Sequence, residues 1–333
     1  MAIRIGISGW TYPPWRGNFY PTGLPQRLEL AYAARRFSTL EVNGTFYSLQ
    51  RPASFQSWYE QTPSDFVFSL KGGRFITHLR RLKEPRQPLA NFFASGVLAL
   101  REKLGPILWQ LPPNFAFDEA RLDAFLALLP RTTTGAAALA AEHDTWMKGR
   151  VLTQADADRP LRHALEFRHE SFLTPRFTAL LRRHGVSLVI ADAAGKFPSA
   201  EDVTAGFVYA RLHGSRKLYV SGYSARELTA WAAKFAAIAA GGPAPAARLI
   251  DPESSVPPTP RDVFVYFDNT DIKLRAPIDA RTLARRLSVL VSGTPRSVLA
   301  ALTSPNKPQA TAPRKARVRA PGGQRRMADR IEP

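Results

Sequence analysis

The fold is decided by the stretch Ala164-Leu165-Glu166-Phe167-Arg168-His169. Side chains alternate between the two faces of a β-strand, so Leu165 and Phe167 share one face while Glu166 and Arg168 share the other. Strands of an open parallel sheet are normally apolar on both faces, because helices cover both. One apolar face opposite an acid and a base instead predicts a closed barrel with a polar interior.

The same alternation recurs in further segments, and helical segments separate them. The predicted strands are residues 3–8, 39–43, 66–71, 107–111, 164–169, 187–192, 207–213 and 263–268. Strands that alternate with helices in this way predict the α/β class, with a parallel eight-stranded sheet closed into a (β/α)8 TIM-type barrel inside a ring of outer helices. The alternative is an open doubly wound sheet, which requires apolar residues on both strand faces and fits this chain less well.

Local signals place the helices. They are predicted around Phe55 and at about 25–37, 89–104, 119–129, 175–184, 225–240 and 279–291. Asp118 is expected to cap the helix that follows it, and Ser224 with Glu227 forms a capping box. Gly185 is expected to end the helix that Ser171 or Thr174 begins.

Length and composition indicate one large domain. The chain has 333 residues, of which 45% are hydrophobic, and barrels of this class reach roughly 250 residues or more as single domains. We predict a single barrel domain over residues 1–302, with insertions near 131–160 and 241–260, and a basic, disordered tail over 303–333. The absence of cysteine excludes disulfides and thiolate metal sites. Because neither a signal peptide nor a membrane-length apolar run is found, we expect a soluble cytoplasmic protein.

The chain is strongly basic. Its formal net charge is +19, and residues 304–333 contribute eight basic and two acidic side chains to it. Such a charge attracts polyanions without sequence preference, so non-specific nucleic-acid binding through the tail is one predicted partnership. An arginine-rich composition without dedicated nucleic-acid binding is the simpler explanation, and we favour it. The sequence predicts no membrane partner and does not indicate the oligomeric state.

Charged side chains collect on the inward faces of the predicted strands. Buried charges must be paired or hydrogen-bonded, so a neutralised ion network is one explanation. The other is a ligand site, because active sites of this fold lie at the carboxyl ends of the strands. We favour a ligand site for the groups at those ends. The predicted inward charges are Arg4, Lys71, Arg168 and Arg211 against Glu41, Glu166, Asp192 and Asp268.

Eight short motifs occur in order over residues 3–291. They are Ser8-Gly9-Trp10, Glu41-Val42-Asn43, Ile76-Thr77-His78, Gln110-Leu111-Pro112-Pro113, Glu166-Phe167-Arg168-His169, Ala191-Asp192, Arg211-Leu212-His213-Gly214 and Tyr266-Phe267-Asp268-Asn269. This set resembles the motifs of the YecE-like family, also called domain of unknown function 72. The resemblance implies a TIM-type barrel and no established reaction. Two motif positions depart from the family pattern, because Gly44 stands where Ser is usual and Phe172 where Trp is common.

The first functional hypothesis is an enzyme that acts on an anionic small molecule or nucleotide, such as a phosphate-bearing one. Arginine and lysine side chains would hold the anion, while a carboxylate acts as general base and His213 or His78 as its acid–base partner. The loop of residues 214–217 would bind phosphate, although a surface charge cluster explains it equally well. The candidate catalytic residues are Glu41, Glu166, His213 and Asp268, and the candidate substrate-binding residues are Asn43, Lys71, Arg168, His169, Asp192, Arg211, Asn269 and Trp10.

Two variants of this hypothesis receive less support. The set Glu166, Asp192, His213 and Asp268 offers ligands for Zn²⁺ or Mn²⁺, but nearby Arg and Lys would repel the ion. A glycosidase needs two carboxyls roughly 5–9.5 Å apart, and Glu41 and Glu166 belong to strands three apart. No Gly-rich phosphate loop, nucleophile elbow or Walker motif is present, so the sequence requires no cofactor and leaves a divalent metal as the one open option.

The second hypothesis is a binding protein without catalysis. The basic body and tail would recruit nucleic acid, and the barrel would sense or store an anionic ligand. The aromatic side chains of residues 10–20 would then stack on a base. Their alternative role is to pack the loop against the barrel, and we favour that role for most of them.

Overall fold

The computed structural model of the protein describes residues 1–254, 257–269 and 274–292. Within this part, eight parallel strands form one closed barrel in sequence order. The strands are β1 Ile3–Ser8, β2 Thr39–Val42, β3 Val67–Lys71, β4 Leu104–Gln110, β5 His163–Glu166, β6 Ser187–Asp192, β7 Phe207–Leu212 and β8 Asp262–Phe267. The prediction of a TIM-type barrel is confirmed.

Helices cover the outside of the barrel. The α-helices are α1 Glu29–Ala34, α2 Gly44–Tyr47, α3 Pro52–Glu60, α4 Arg86–Ala94, α5 Glu119–Leu128, α6 Thr133–Ala140, α7 Pro175–Arg183, α8 Ala225–Ala239 and α9 Arg275–Ser292. A π-helical turn, Phe75–Leu79, follows β3, and 3₁₀ segments occur at Pro13–Trp15, Gln26–Leu28, Val97–Lys103, Thr145–Met147 and Glu170–Phe172. Of the described helices, none combines the length and apolar character needed to cross a bilayer.

The two faces of the strands have different neighbours, as the alternation predicts. Outward side chains such as Leu165 and Phe167 belong to the large core between the barrel and its helices. Inward side chains form a separate apolar cluster, which includes the bulky Phe207 and Phe264 near the amino ends of β7 and β8. This inner apolar cluster comprises Leu108, Ala164, Val189, Ala191, Ala205, Phe207, Tyr209, Phe264 and Tyr266.

Strand β4 begins at Leu104, three residues before the predicted start. The sequence signal there is misleading, because Pro106 lacks an N–H and normally interrupts a ladder. The pairing of β3 with β4 shifts register between Phe68 and Leu70, and this irregularity accommodates the proline. A glycine is needed just before it, because a Cβ at Gly105 would lie 2.4 Å from Val67 Cγ1.

Three predicted helices have different bounds in the structure. The helix expected over 89–104 ends at Ala94, and residues Val97–Lys103 continue as 3₁₀ segments. Gly96 separates them with φ of +117°, and a Cβ there would lie 2.5 Å from Pro52 Cα. The helix expected over 25–37 is a 3₁₀ turn followed by the short α1. Helix α9 starts four residues before 279, because the first turn of a helix tolerates Pro277.

The predicted helix ends are mostly confirmed. Asp118 accepts from Arg121 N at 3.1 Å, Ser224 and Glu227 form the capping box, and Gly185 has φ of +58°. Thr174 occupies the N-cap position of α7, without a capping hydrogen bond from its side chain. The insertion predicted near 131–160 contains α6 and a 3₁₀ turn. The predicted tail, residues 303–333, lies outside the described residues.

Candidate active site at the carboxyl end of the barrel

Arg211 lies at the centre of a buried ion network at the carboxyl end of the barrel. The residue is inward on β7 and 1% exposed. Its guanidinium donates twice to Glu41, once to Glu166 and once to Asp268, at distances of 2.8–3.0 Å. Burial opposes its charge, but Glu41 and Glu166 outweigh that effect and hold the pKa of Arg211 well above its ordinary value. The hydrogen bonds to three carboxylates occupy all three guanidinium nitrogens of Arg211.

Glu41 is held from several sides. The Ser8 hydroxyl donates to Glu41 Oε1, and the Tyr209 hydroxyl donates to Oε2 at 2.6 Å. Asn43 Nδ2 donates in turn to Ser8 Oγ at 3.1 Å, and Tyr209 is also 2.7 Å from Ser69 Oγ. Because Arg211 contacts both oxygens as well, Glu41 is engaged within the barrel wall.

Glu166 sits between two guanidinium groups. Its Oε1 accepts from Gln110 Nε2 and from Arg168 Nε, both at 2.8 Å, and its Oε2 accepts from Arg211 at 2.8 Å. Burial alone would raise the pKa of Glu166, but Arg168 and Arg211 outweigh burial and hold it well below its usual range. Glu166 is therefore a carboxylate at neutral pH.

His213 and Asp268 form an imidazole–carboxylate pair at the edge of the network. His213 Nδ1 lies 3.1 Å from Asp268 Oδ2, and His213 Nε2 lies 3.4 Å from Arg211 Nη1. Burial opposes the charge of Asp268, yet Arg211 and His213 hold its pKa below the ordinary value. The ring of Tyr219 meets His213 edge to face at 5.3 Å between centroids. The imidazole is thus oriented by a carboxylate beneath the loop that follows β7.

Lys71 differs from the other buried charges of the site. It ends β3, is 8% exposed, and places Nζ 4.2 Å from the centre of the Phe46 ring. Within the described part of the chain, Nζ makes no ion pair and no hydrogen bond. Burial first, and then the charge of Arg211, lower the pKa of Lys71 to about 8. The amine is therefore close to ionised carboxylates without being engaged by one.

Two further basic side chains, Arg168 and His78, lie beside the network and are partly exposed at the carboxyl end of the barrel. Arg168 is 12% exposed, and its Nη2 makes only a 3.5 Å contact to the Tyr219 hydroxyl, while the guanidinium lies 4.4 Å from the Phe197 ring centre. His78 Nδ1 is 2.9 Å from Thr77 Oγ1. Burial, followed by the charge of Lys71, lowers the pKa of His78 to about 4, so this imidazole is neutral at pH 7.

Three predicted site residues share the outward face of their strands. Asp192 has the parity of the outward Ile190 and hydrogen-bonds to the Tyr223 hydroxyl. His169 continues the outward side of Phe167, and its Nδ1 lies 2.8 Å from Ser171 Oγ. Asn269 continues the outward side of Phe267, and its Nδ2 donates to Asp279 at 2.8 Å. Strand parity therefore turns these three residues away from the Arg211 network.

Arg4 and Trp10 also lie apart from the network. Arg4 was expected deep in the barrel among the charged groups, and this expectation is wrong. It is partly exposed at the amino end of β1, where it donates to Asp65 O at 3.0 Å and to Ser38 O at 3.4 Å. Trp10 packs edge to face on Trp58 at 5.5 Å. With Arg4 and Asp192 removed, the predicted set of four acids and four bases becomes three of each.

The four side chains considered as metal ligands do not converge on one point. Glu166, His213 and Asp268 are directed toward Arg211, and Asp192 is directed toward Tyr223. Over residues 1–254, 257–269 and 274–292, no group of three or more His, Cys, Asp or Glu side chains is placed to hold a metal ion.

The two loops with alternative roles pack on the protein itself. Trp15 and Tyr20 are fully buried in the core, which confirms the packing role preferred for the aromatic loop. In the loop after β7, the hydroxyl of Ser221 accepts from the backbone N–H groups of Arg216 and Lys217 at 2.9 and 3.0 Å. These amides, which a phosphate would require, are therefore occupied by Ser221.

Several contacts of the site were not anticipated from the sequence. Phe46, Phe197 and Tyr219 supply the aromatic surfaces beside Lys71, Arg168 and His213. Phe46 lies in the one-turn helix α2, and Phe197 and Tyr219 lie in loops. Segments this short have no periodicity that predicts the direction of a side chain. Ser8 was assignable in principle, because it ends β1 on the inward face opposite Glu41, its partner in the β1–β2 register.

A closed barrel of eight parallel strands inside a ring of helices defines a TIM-barrel protein. The profile of a family described as "Protein of unknown function DUF72" matches residues 4–302. The chain belongs to this family.

Named relatives agree with this assignment. The chain is 33% identical over 129 residues to UPF0759 protein YecE of Escherichia coli K12, an alignment covering 38% of this chain and 44% of that protein. It is 25% identical over 180 residues to UPF0759 protein YunF of Bacillus subtilis 168, covering 53% of this chain and 54% of that protein. The matches thus span about half the length of these relatives.

Solved structures of the family share the fold. A crystal structure of a DUF72 family protein from Thermotoga maritima matches with a TM-score of 0.65 at 23% identity, covering 86% of this chain and 100% of that chain. One from Enterococcus faecalis matches with a TM-score of 0.59 at 19% identity, covering 86% and 95%. At this identity the similarity concerns the fold.

Proposed function

We propose that the protein is an enzyme that acts on an anionic small molecule, such as a phosphate-bearing metabolite or a nucleotide, at the carboxyl end of the barrel. The observation that carries the proposal is the state of Lys71. A buried charge is normally paired, and its amine makes no ion pair or hydrogen bond among the described residues. An anionic group of a ligand would supply the missing partner.

Arg168 is the second cation available to a ligand. One edge of its guanidinium is fixed by Glu166, while Nη2 has only the long contact to Tyr219. A guanidinium held on one side and open on the other suits a carboxylate or phosphate oxygen. In Arg211, by contrast, each of the three guanidinium nitrogens already donates to a carboxylate, so we assign it the positioning of Glu41, Glu166 and Asp268.

The acid–base chemistry falls to a histidine in this proposal. Glu166 is too strongly stabilised as a carboxylate by Arg168 and Arg211 to be an effective base near neutral pH. We assign the proton transfer to His213, which is paired with Asp268. His78 lies beside the Phe46 ring and has a pKa lowered to about 4, so it is too weak a base for this role and serves as a neutral hydrogen-bonding group. A base, His213, and two cations, Lys71 and Arg168, therefore lie at the same end of the barrel.

The test is a ligand panel on the wild type and matched variants. Inorganic phosphate, pyrophosphate, nucleotides, phosphosugars and small carboxylates are screened by thermal unfolding, and binding at about 100 times Kd adds roughly 2.7 kcal/mol to stability. We expect an anion to stabilise the wild type, and Lys71→Met and Arg168→Met to lose this response. Lys103→Met is the control, because Lys103 is also buried, at 4% exposure, yet donates to Tyr59 O and Thr62 O at the other end of the barrel.

Ligands that bind are then incubated with the protein, and products are sought by mass spectrometry. Turnover that is lost with His213→Gln separates an enzyme from the second hypothesis, a protein that only binds its anion. The proposal fails if no anion shifts the unfolding temperature, or if Lys71→Met responds as the wild type does.

A further inference from the structure

We propose that Lys71 is a covalent nucleophile, and that the substrate is an anion carrying an aldehyde or ketone group that forms a Schiff base with its amine. This inference rests on the proposed function and names the substrate class of the same site. It starts from a comparison of two buried lysines in one chain.

Lys103 shows what a structural buried lysine looks like in this fold. Its Nζ donates to Tyr59 O at 2.6 Å, to Thr62 O at 2.8 Å and to Thr62 Oγ1 at 3.2 Å. Three acceptors match the three protons of an ammonium group. All three protons of this ammonium are therefore engaged by acceptors, and the side chain ties α3 to the segment before β4.

Lys71 is buried to a similar degree and has none of these acceptors within the described residues. Its Nζ lies over the face of Phe46, 4.2 Å from the ring centre. An aromatic face attracts an ammonium but accepts no directional hydrogen bond, so it leaves the lone pair of the neutral amine free to react. A lysine in such surroundings is suited to nucleophilic catalysis.

The protonation state agrees with this geometry. With a pKa of about 8, roughly a tenth of the Lys71 amines are neutral at pH 7, compared with fewer than about one in a thousand for an ordinary lysine. The lowered pKa supports the role without establishing it, because burial also lowers the pKa of Lys103. The difference between the two lysines is the set of partners.

The remaining groups of the site match the steps of imine formation. The Lys71 ammonium first gives a proton to a base, for which we assign His213, the imidazole that is paired with Asp268. The amine lone pair then forms a C–N bond to the carbonyl carbon, and a proton moves from nitrogen to the carbonyl oxygen.

The same base returns its proton to that oxygen, the C–O bond breaks, and water leaves. The product is a protonated C=N bond, so the ammonium and the carbonyl yield one iminium and one water without any oxidation or reduction. Arg168 holds the anionic group of the substrate while these steps occur.

Reductive trapping tests this inference. Glyoxylate, pyruvate and dihydroxyacetone phosphate are each incubated with the full chain and sodium cyanoborohydride, and modified lysines are located by peptide mass spectrometry. Glyoxylate is included because it is the smallest anionic aldehyde and enters any opening that admits a larger one. We expect a reduced adduct at Lys71 that forms at least tenfold faster than at Lys103, with a rate that rises as the pH increases to about 8.

Variants and a neutral probe complete the design. Lys71→Arg keeps a positive charge and abolishes the adduct, while Lys103→Met leaves the adduct at Lys71 unchanged. Dihydroxyacetone, which lacks the phosphate, reports on the role of the anion. If Lys71 is unmodified by all three anionic probes while other lysines react, the nucleophile is disproved.

The outcomes separate this inference from the proposed function. If anions stabilise the protein but no adduct is trapped at Lys71, its role is electrostatic only. The covalent role is then disproved, while the proposed anion-binding site is supported. Trapping that is equally fast with dihydroxyacetone supports the nucleophile and contradicts the anionic substrate class. The absence of both responses disproves both.

Discussion

The two ends of the barrel interior are built on opposite principles. Toward the amino ends of the strands, the interior contains apolar side chains such as Phe207 and Phe264. Toward the carboxyl ends, it is filled by charges arranged around Arg211. Tyr209 belongs to both, because its ring packs in the apolar cluster and its hydroxyl donates to Glu41.

Because of this difference, substitutions at the two ends should change the stability of the barrel in different ways. Apolar packing stabilises the barrel in proportion to the surface that it buries, and each side chain contributes largely on its own. A buried ion network gains little over apolar packing, but it is strongly destabilised when one member is removed. The carboxyl end therefore depends on a single guanidinium, that of Arg211, to tolerate its three buried carboxylates.

The largest effect is expected for Arg211→Met, which tests whether the carboxyl end depends on this guanidinium. Three buried carboxylates would lose their shared counter-charge, so we expect the free energy of unfolding at pH 7 to fall by about 3–5 kcal/mol. Urea unfolding measures the change. Because unpaired buried carboxylates take up protons more readily, the deficit should narrow at pH 4. A loss below about 1 kcal/mol would show that the carboxylates do not depend on Arg211.

A comparable change at the amino end is Phe264→Ala, because Phe264 pairs with Arg4 in the register of β1 and β8. Phe264 is buried in the inner apolar cluster, so its truncation should lower the free energy of unfolding by about 3 kcal/mol through lost burial and a residual cavity. The deficit should be the same at pH 4 and pH 7, since no titrating group is involved. The response to anions in the thermal-unfolding screen should persist. A pH-dependent deficit would mean that the two ends are coupled.

The sequence predicted which side chains face the barrel interior better than it predicted their depth and their partners, and the reason is physical. Alternation along a strand specifies which side chains face inward, and it correctly assigned Glu41, Glu166 and Arg211 to the barrel interior. It also exposes its own errors, because Asp192 and Asn269 have outward parity that a strict count would have shown. The closed parallel topology follows from the same pattern repeated in eight strands.

The alternation does not specify how far along the barrel axis an inward side chain lies, or which other side chain it pairs with. Arg4 has inward parity, yet it lies at the amino end and bonds to backbone carbonyls there. The choice of Arg211 as the shared partner of three carboxylates depends on how far each strand is staggered around the barrel. Whether a buried lysine is engaged, like Lys103, or unengaged, like Lys71, depends on loop positions that no periodicity encodes.

The two buried lysines can be distinguished by stability, because removing each of them should change the free energy of unfolding in opposite directions. Lys71→Met removes an ammonium whose burial is not offset by a partner, so we expect it to stabilise the protein by roughly 1–3 kcal/mol at pH 7. Lys103→Met leaves Tyr59 O and Thr62 O without their donor and should destabilise it by roughly 1–3 kcal/mol. Urea unfolding of both variants measures the pair.

The pH dependence of the Lys71 effect has a defined sign. The folded pKa of about 8 is below the unfolded value of about 10.4, so between these values the unfolded chain binds more protons and the wild type gains stability as the pH rises. The advantage of Lys71→Met should therefore be complete below pH 8 and should shrink toward pH 10. An advantage that is constant over this range would contradict the lowered pKa.

The smallest expected effect tests whether burial is what makes Arg211 critical. At the amino end, Arg162 Nη1 donates to Asp262 Oδ2 at 2.7 Å, a distance as short as those around Arg211, but the Arg162 side chain is 41% exposed. Water and salt screen such a pair, so Arg162→Met should change the free energy of unfolding by less than about 1 kcal/mol. The change should be smaller still in 1 M salt, where the Debye length is about 3 Å instead of the roughly 10 Å found at 0.1 M. Equal losses for Arg162→Met and Arg211→Met would mean that charge pairing alone decides the outcome, and the distinction between the two ends would then rest on composition and not on desolvation.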